Sequence, residues 1–177
     1  NFNDLQTGGA VPDWNIYSPK WAPVDVADFP SSKNKSLLLK DQDPYDYARA
    51  IRVFKETEKS EIEFRIFPEN SDTAPLEIDV TDRFGNRPVR IRFDGNGIIK
   101  ASDGSKETVI LPFKTGLWYD LKLTVNANPY GSYSLWINGK ELLKNAALAE
   151  AVKSVERISV RTGAYRDLPN RNTPNQE

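Results

Sequence analysis

The chain has 177 residues, with 24 Lys and Arg against 25 Asp and Glu (net charge −1), and is 38% apolar, 28% charged and 11% aromatic. This composition supports one folded domain burying roughly 70% of its unfolded surface, and excludes a disordered chain or a nucleic-acid binder driven by bulk charge. The absence of His and Cys removes imidazole bases, disulfides, thiolate zinc sites and thiol nucleophiles, leaving carboxylates, Lys, Arg, Tyr, Ser and Thr for any chemistry.

Along the chain, "SLLL" (36–39) and "AIRVF" (50–54) are short apolar runs of strand length, separated by the acidic loop "DQDPYDY" (41–47). "EIEFRIF" (61–67) alternates strictly, with Ile62, Phe64 and Ile66 opposite Glu61, Glu63 and Arg65, the signature of a half-buried strand. The same alternation runs through "LEIDVTD" (76–82), "PVRIRFD" (88–94), "LWYDLKLTVN" (117–126), "YSLWIN" (133–138) and "RISVRT" (157–162), with "GIIKA" (97–101) and "TVILPF" (108–113) as further strands. Turn chemistry separates them at "FGNRP" (84–88), "DGNG" (94–97), "SDGS" (102–105), "NPYGS" (128–132) and "NGK" (138–140). About ten short strands at this spacing predict an all-β sandwich or barrel. "NAALAEAVKS" (145–154) is rich in helix formers and predicts one short surface helix. Residues 1–168 are expected to form the domain and the polar 169–177 a linker, in a piece of a longer protein. No run approaches the 18 or so apolar residues of a membrane span.

Alternation also sorts the groups that could meet a ligand. Trp118 shares a phase with Asp120 and Lys122, away from Tyr119, Leu121 and Leu123, and Trp136 lies opposite Leu135 and Ile137. Arg90 and Arg92 lie opposite Val89, Ile91 and Phe93, Arg65 opposite Phe64 and Ile66, and Arg161 shares an extended face with Tyr165. Flat aromatic rings and planar guanidinium groups are what sugar recognition uses, the first for ring C–H faces and the second for hydroxyl or acid groups. Trp118, Trp136, Arg65, Arg90, Arg92, Arg161 and Tyr165 are therefore the candidate binding set, and an arginine-lined face favours an acidic glycan. Asp41, Asp43 and Asp46 offer the oxygen ligands that Ca²⁺ prefers, although their spacing matches no EF-hand.

The order "FNDLQTGGAVPDW", "SLLLKDQDPYDYARAIRVF", "GLWYDLKLTVNANPYGSYSLWINGKEL" and "ERISVRTGAYR" resembles the concanavalin A-like, laminin-G-like jelly rolls, and more narrowly the accessory domains of secreted bacterial glycan-degrading proteins. The resemblance implies a non-catalytic carbohydrate-binding module, secreted or at the cell surface, with a polysaccharide or oligosaccharide as ligand and other domains of the parent protein as neighbours. It also implies structural calcium as a candidate for the 41–47 aspartates. "EIDVTD" is similar to the E-x-D-x-x-E strand of jelly-roll glucanases, with Glu77, Asp79 and Asp82 in its positions, but the last is Asp where that family has Glu. "RTGAYR" is similar to the K-x-G-x-Y strand of jelly-roll polysaccharide lyases, which makes Tyr165 the acid or base and Arg161 the carboxylate partner in an alternative uronate-specific lyase. A structural spacer packed on a catalytic neighbour is the third reading.

Overall fold

The computed structural model describes residues 1–43, 45–69 and 75–163. Its strands are β1 (Trp14–Tyr17), β2 (Val24–Ser31), β3 (Asn34–Leu39), β4 (Arg49–Thr57), β5 (Lys59–Ile66), β6 (Leu76–Thr81) and β7 (Val89–Phe93). They continue with β8 (Ile98–Asp103), β9 (Lys106–Pro112), β10 (Tyr119–Asn126), β11 (Ser132–Ile137), β12 (Lys140–Ala147) and β13 (Val155–Thr162). A seven-stranded sheet runs β1-β4-β13-β6-β7-β8-β9, a four-stranded sheet runs β12-β11-β10-β5, and β2 and β3 form a separate hairpin. Every pairing is antiparallel.

The inward phases of the two larger sheets interlock as the core of a sandwich. Ile78, Val80, Val89, Ile91, Phe93, Ile99 and Ile158 of the larger sheet meet Tyr119, Leu121, Leu123, Val125, Tyr133, Leu135 and Ile137 of the smaller. A second cluster, Ala22, Val24, Ala48 and Ala50 with Trp14, Ile16, Leu37 and Leu39 packed on it, joins the β2–β3 hairpin to the β1–β4 edge. The buried Tyr133 hydroxyl reaches across the layers and donates to the Ser102 carbonyl on β8. Burial pushes the Tyr133 phenol up to about 12.

Turns fall where Gly and Asn allowed them. Asn138 and Gly139 both take positive φ between β11 and β12, as a two-residue hairpin turn with right-handed strand twist requires. The 145–154 segment is not a helix, and no helix occurs among the described residues. Its first two alanines are strand residues: Ala146 is buried opposite Tyr133, Ala147 pairs with Ser132, and the Ala147 carbonyl accepts the Gly104 amide. The Ala149 amide then bonds the Pro88 carbonyl. Sheet pairing and burial of small side chains override helix propensity, which amounts to only tenths of a kcal/mol per residue. Among the described residues no helix is long and apolar enough to cross a membrane.

Leu123 is fully buried at the centre of the sandwich. Leu123→Ala is expected to lower stability by about 2–5 kcal/mol through lost burial and the cavity left behind, read from urea unfolding at constant m-value.

Candidate glycan-binding site

In an antiparallel sheet, residues directly opposite one another share a face, so register alone lays out the outward side of the seven-stranded sheet. One row reads Tyr17, Arg49, Arg161, Glu77, Arg92 and Lys100 across β1, β4, β13, β6, β7 and β8. The next reads Asn15, Ile51, Ser159, Asp79 and Arg90. These side chains point away from the core, yet Glu77, Asp79 and Arg161 are buried.

Arg87, itself buried, provides the cover for the two acids. From the turn between β6 and β7 it folds back over the sheet, placing Nη2 2.8 Å from Asp79 Oδ1 and 3.5 Å from Glu77 Oε2. Arg92 continues the network, with Nη1 3.9 Å from Glu77 and Nη2 2.5 and 2.6 Å from the two Glu107 oxygens on β9. Glu150, in the segment after β12, accepts the Arg87 backbone amide at 2.6 Å and pairs with the Arg90 guanidinium, locking the position of both. Between these groups and the 104–106 turn lies a polar cavity of about 230 Å³, lined by Glu77, Arg87, Arg90, Arg92 and Glu107. Burial raises the Glu77 carboxyl above its ordinary range, with Asp79 adding to the effect, and the nearby arginines do not offset the two. Burial likewise raises Asp79 despite its bond to Arg87.

At the other end of the row, the Arg161 guanidinium lies 3.8 Å and the Arg49 guanidinium 5.7 Å from the Tyr47 ring centroid. Two like charges in direct register are thus shared by one aromatic face. Tyr17 packs on Tyr47 with centroids 4.9 Å apart, and its hydroxyl donates to Asp46 at 2.9 Å. Together these groups form a rigid array of planar donors and carboxylate acceptors, suited to binding hydroxyl and acid groups.

The candidate residues divide between two faces. Arg90, Arg92 and Arg161 gather on the array, while Tyr165 lies outside the described residues. Trp118, Trp136 and Arg65 belong to the opposite side of the sandwich, the outer face of the four-stranded sheet. There Arg65 pairs with Asp120 and lies 4.9 Å from the Trp118 ring. Trp118 packs on Phe29 of β2 and on Phe67, centroids 5.7 and 5.2 Å away, and so fastens the hairpin to the sandwich. Trp136 sits half-buried opposite Lys122 and Glu141.

Asp82 cannot complete a glucanase-like set with Glu77 and Asp79, because its carboxylate accepts the Phe84 and Asn86 amides of its own turn. The 41–47 aspartates, the calcium candidates of the sequence, each take part in hydrogen bonds of their own region. Asp41 accepts from Thr162 and the Asp43 amide, Asp43 from the Tyr45 amide, and Asp46 from Tyr17 and the Tyr47 amide. Among the described residues no three acidic groups converge as metal ligands. Sequence reasoning missed Arg87, Glu107, Glu150, Arg49 and Tyr47. The available signal was two carboxylates sharing one strand face in a chain whose other strands carry arginines in the outward phase.

The family model described as "Sialidase-like, CBM domain" matches residues 14–177. The chain belongs to this family of sialidase-like carbohydrate-binding modules. It is a carbohydrate-binding module by that family, and its sheets pack as a jelly-roll sandwich of the concanavalin A type. It is similar to a sialidase structure at 26% identity and TM-score 0.85, covering 99% of this chain and 16% of that one. It therefore spans a small part of that protein. Trypanosoma rangeli sialidase in complex with sialic acid shares the fold (12% identity, TM-score 0.51, 96% of this chain and 28% of that one). So does alginate lyase Aly36B (8% identity, TM-score 0.51, 94% and 86%). No curated protein matches the sequence.

Because folding raises Glu77 above its ordinary 4.5, the folded module holds more protons than the unfolded chain just above that pH, and the acid's contribution to stability falls as pH rises through this window. Urea unfolding of wild type and Glu77→Gln is expected to show wild type losing ground to the variant as pH rises from about 4.5.

Proposed function

We propose that the module holds an acidic glycan on the outer face of the seven-stranded sheet, with Arg92, Arg90 and Arg161 as the groups that meet its carboxylate and hydroxyls. The observation that carries this reading is the buried Arg87–Asp79–Glu77 cluster beneath them. Charged groups taken out of water on an outward sheet face cost stability unless they are fully paired, and here the pairing holds the neighbouring guanidinium groups in fixed positions beside a polar cavity. Guanidinium groups so fixed lose little entropy when they bind a carboxylate or vicinal hydroxyls, the preorganisation that tight sugar sites use. The sialidase named among the similar structures favours a sialic acid as the acidic sugar, and uronates carry the same carboxylate chemistry. Tyr165, four residues after Arg161 in the sequence, is kept as a candidate contact. The module is read as one part of a secreted, multimodular glycan-degrading protein, in which it would keep a catalytic neighbour close to its polymer.

In calorimetric titrations with sialyllactose and lactose, and with galacturonate oligomers as a second acidic probe, binding is expected for an acidic ligand and to be weaker for lactose. Arg92→Ala and Arg161→Ala should each lower affinity about tenfold or more, the cost of one charge-assisted contact, with melting temperature confirming that the variants fold. Trp136→Ala, on the opposite face, should change affinity by less than about twofold. Loss of binding in Trp136→Ala with Arg92→Ala unaffected moves the site to the other sheet, and failure of every acidic glycan to bind removes the reading.

A further inference from the structure

We infer that the site is a groove for an oligosaccharide run, with an aromatic subsite at Tyr17 on the β1 edge, and that it is not confined to a single terminal sugar at the arginines. This rests on the placement of the ligand on the seven-stranded face.

Tyr17 occupies the same cross-strand row as Arg49, Arg161, Glu77 and Arg92. At the usual strand spacing, four steps from β1 to β7 span about 19 Å, room for roughly three or four sugar units end to end. The row changes chemistry along its length. At β6 and β7 it offers acid and guanidinium groups around a polar cavity, and at β1 it ends in a ring 40% exposed to solvent. That ring is held from two sides, by packing on Tyr47 and by its hydroxyl bond to Asp46. Tyr47 cannot take the same part, because its face already carries Arg161. Two more exposed aromatics, Tyr45 and Trp21, belong to the chain around this end of the sheet: Tyr45 immediately precedes Asp46 and Tyr47, and the Trp21 carbonyl accepts the Gln42 amide in the loop after β3. A fixed, outward aromatic ring in line with a carboxylate-binding array suits a glycan whose acid group lies at the arginines and whose next units run toward β1, where a pyranose C–H face stacks on Tyr17.

The test uses the whole chain and two size series, galacturonate oligomers and α-2,8-linked sialic acid oligomers, each from monomer to hexamer. In the series that binds, affinity should rise with length and level off near the trimer or tetramer. Tyr17→Ala should remove that rise, weakening the tetramer about three- to tenfold more than the monomer, and Tyr17→Phe, which keeps the ring, should retain most of it. As a readout on wild type that does not depend on how a variant folds, the Asn15 and Tyr17 amide resonances should shift with the tetramer and not with the monomer. Equal affinity along both series while Arg92 remains essential overturns the extended groove and leaves the arginine site standing. Binding that no longer depends on Arg92 overturns both.

Discussion

The guanidinium of Arg87 is the piece on which the charged face of the seven-stranded sheet depends. It comes from a turn, lies over β6, and meets Asp79 and Glu77 together. Two carboxylates on adjacent same-face positions of one strand repel each other, and burial adds a desolvation cost to each. A sheet face with those acids uncovered would draw in water and let the arginines on either side wander. With Arg87 in place the acids become fixed anchors: Glu77 faces Arg92 on one flank and lies in register with Arg161 on the other. Glu150 in turn holds the Arg87 backbone amide, so the turn, two strands and the crossing segment before β13 are tied into one unit.

The two outer faces of the sandwich thus do different work. On the four-stranded sheet, charges pair across strands in solvent, as Lys122 does with Glu61 and Glu63, and such exposed pairs add little stability. Its aromatic residues hold the β2–β3 hairpin in place through Phe29, Phe67 and Trp118. On the seven-stranded sheet the charges are buried and networked, and they leave a cavity. The near-neutral total charge of the chain conceals this segregation.

Much of the fold could be read from alternation: β5, β7 and β10 each keep one phase more buried than the other, and the apolar phases of β11 and β13 turn Leu135 and Ile158 into the core. The strands that escaped notice lack that pattern. β12 ("KELLKNAA") is an edge strand with a shifted register, and its alanines signal helix unless one knows that Tyr133 lies opposite. β2 packs against its hairpin partner and a satellite cluster away from the main core. For the site, phase put Arg90, Arg92 and Arg161 on outward faces correctly, but phase does not say which sheet a strand joins. Arg65 and the two tryptophans share the outward phase and lie on the other layer. The burial of Glu77 and Asp79 was illegible for a related reason: what covers them is a side chain from a turn, and its reach depends on the closed register of β6 with β7.

Tyr133 gives the two layers a shared fate. Its hydroxyl holds the Ser102 carbonyl from beneath, and the Ser102 hydroxyl oxygen accepts the Arg90 amide at 3.2 Å. The phenol can donate only while protonated; in the unfolded chain it would ionise near 10, and in the sandwich it holds its proton to about 12. Across that alkaline interval the unfolded chain gives up this proton and the folded sandwich does not, so the folded state loses ground while every guanidinium keeps its charge. In strong alkali the arginine array would therefore lose its support from below before it lost any of its cations.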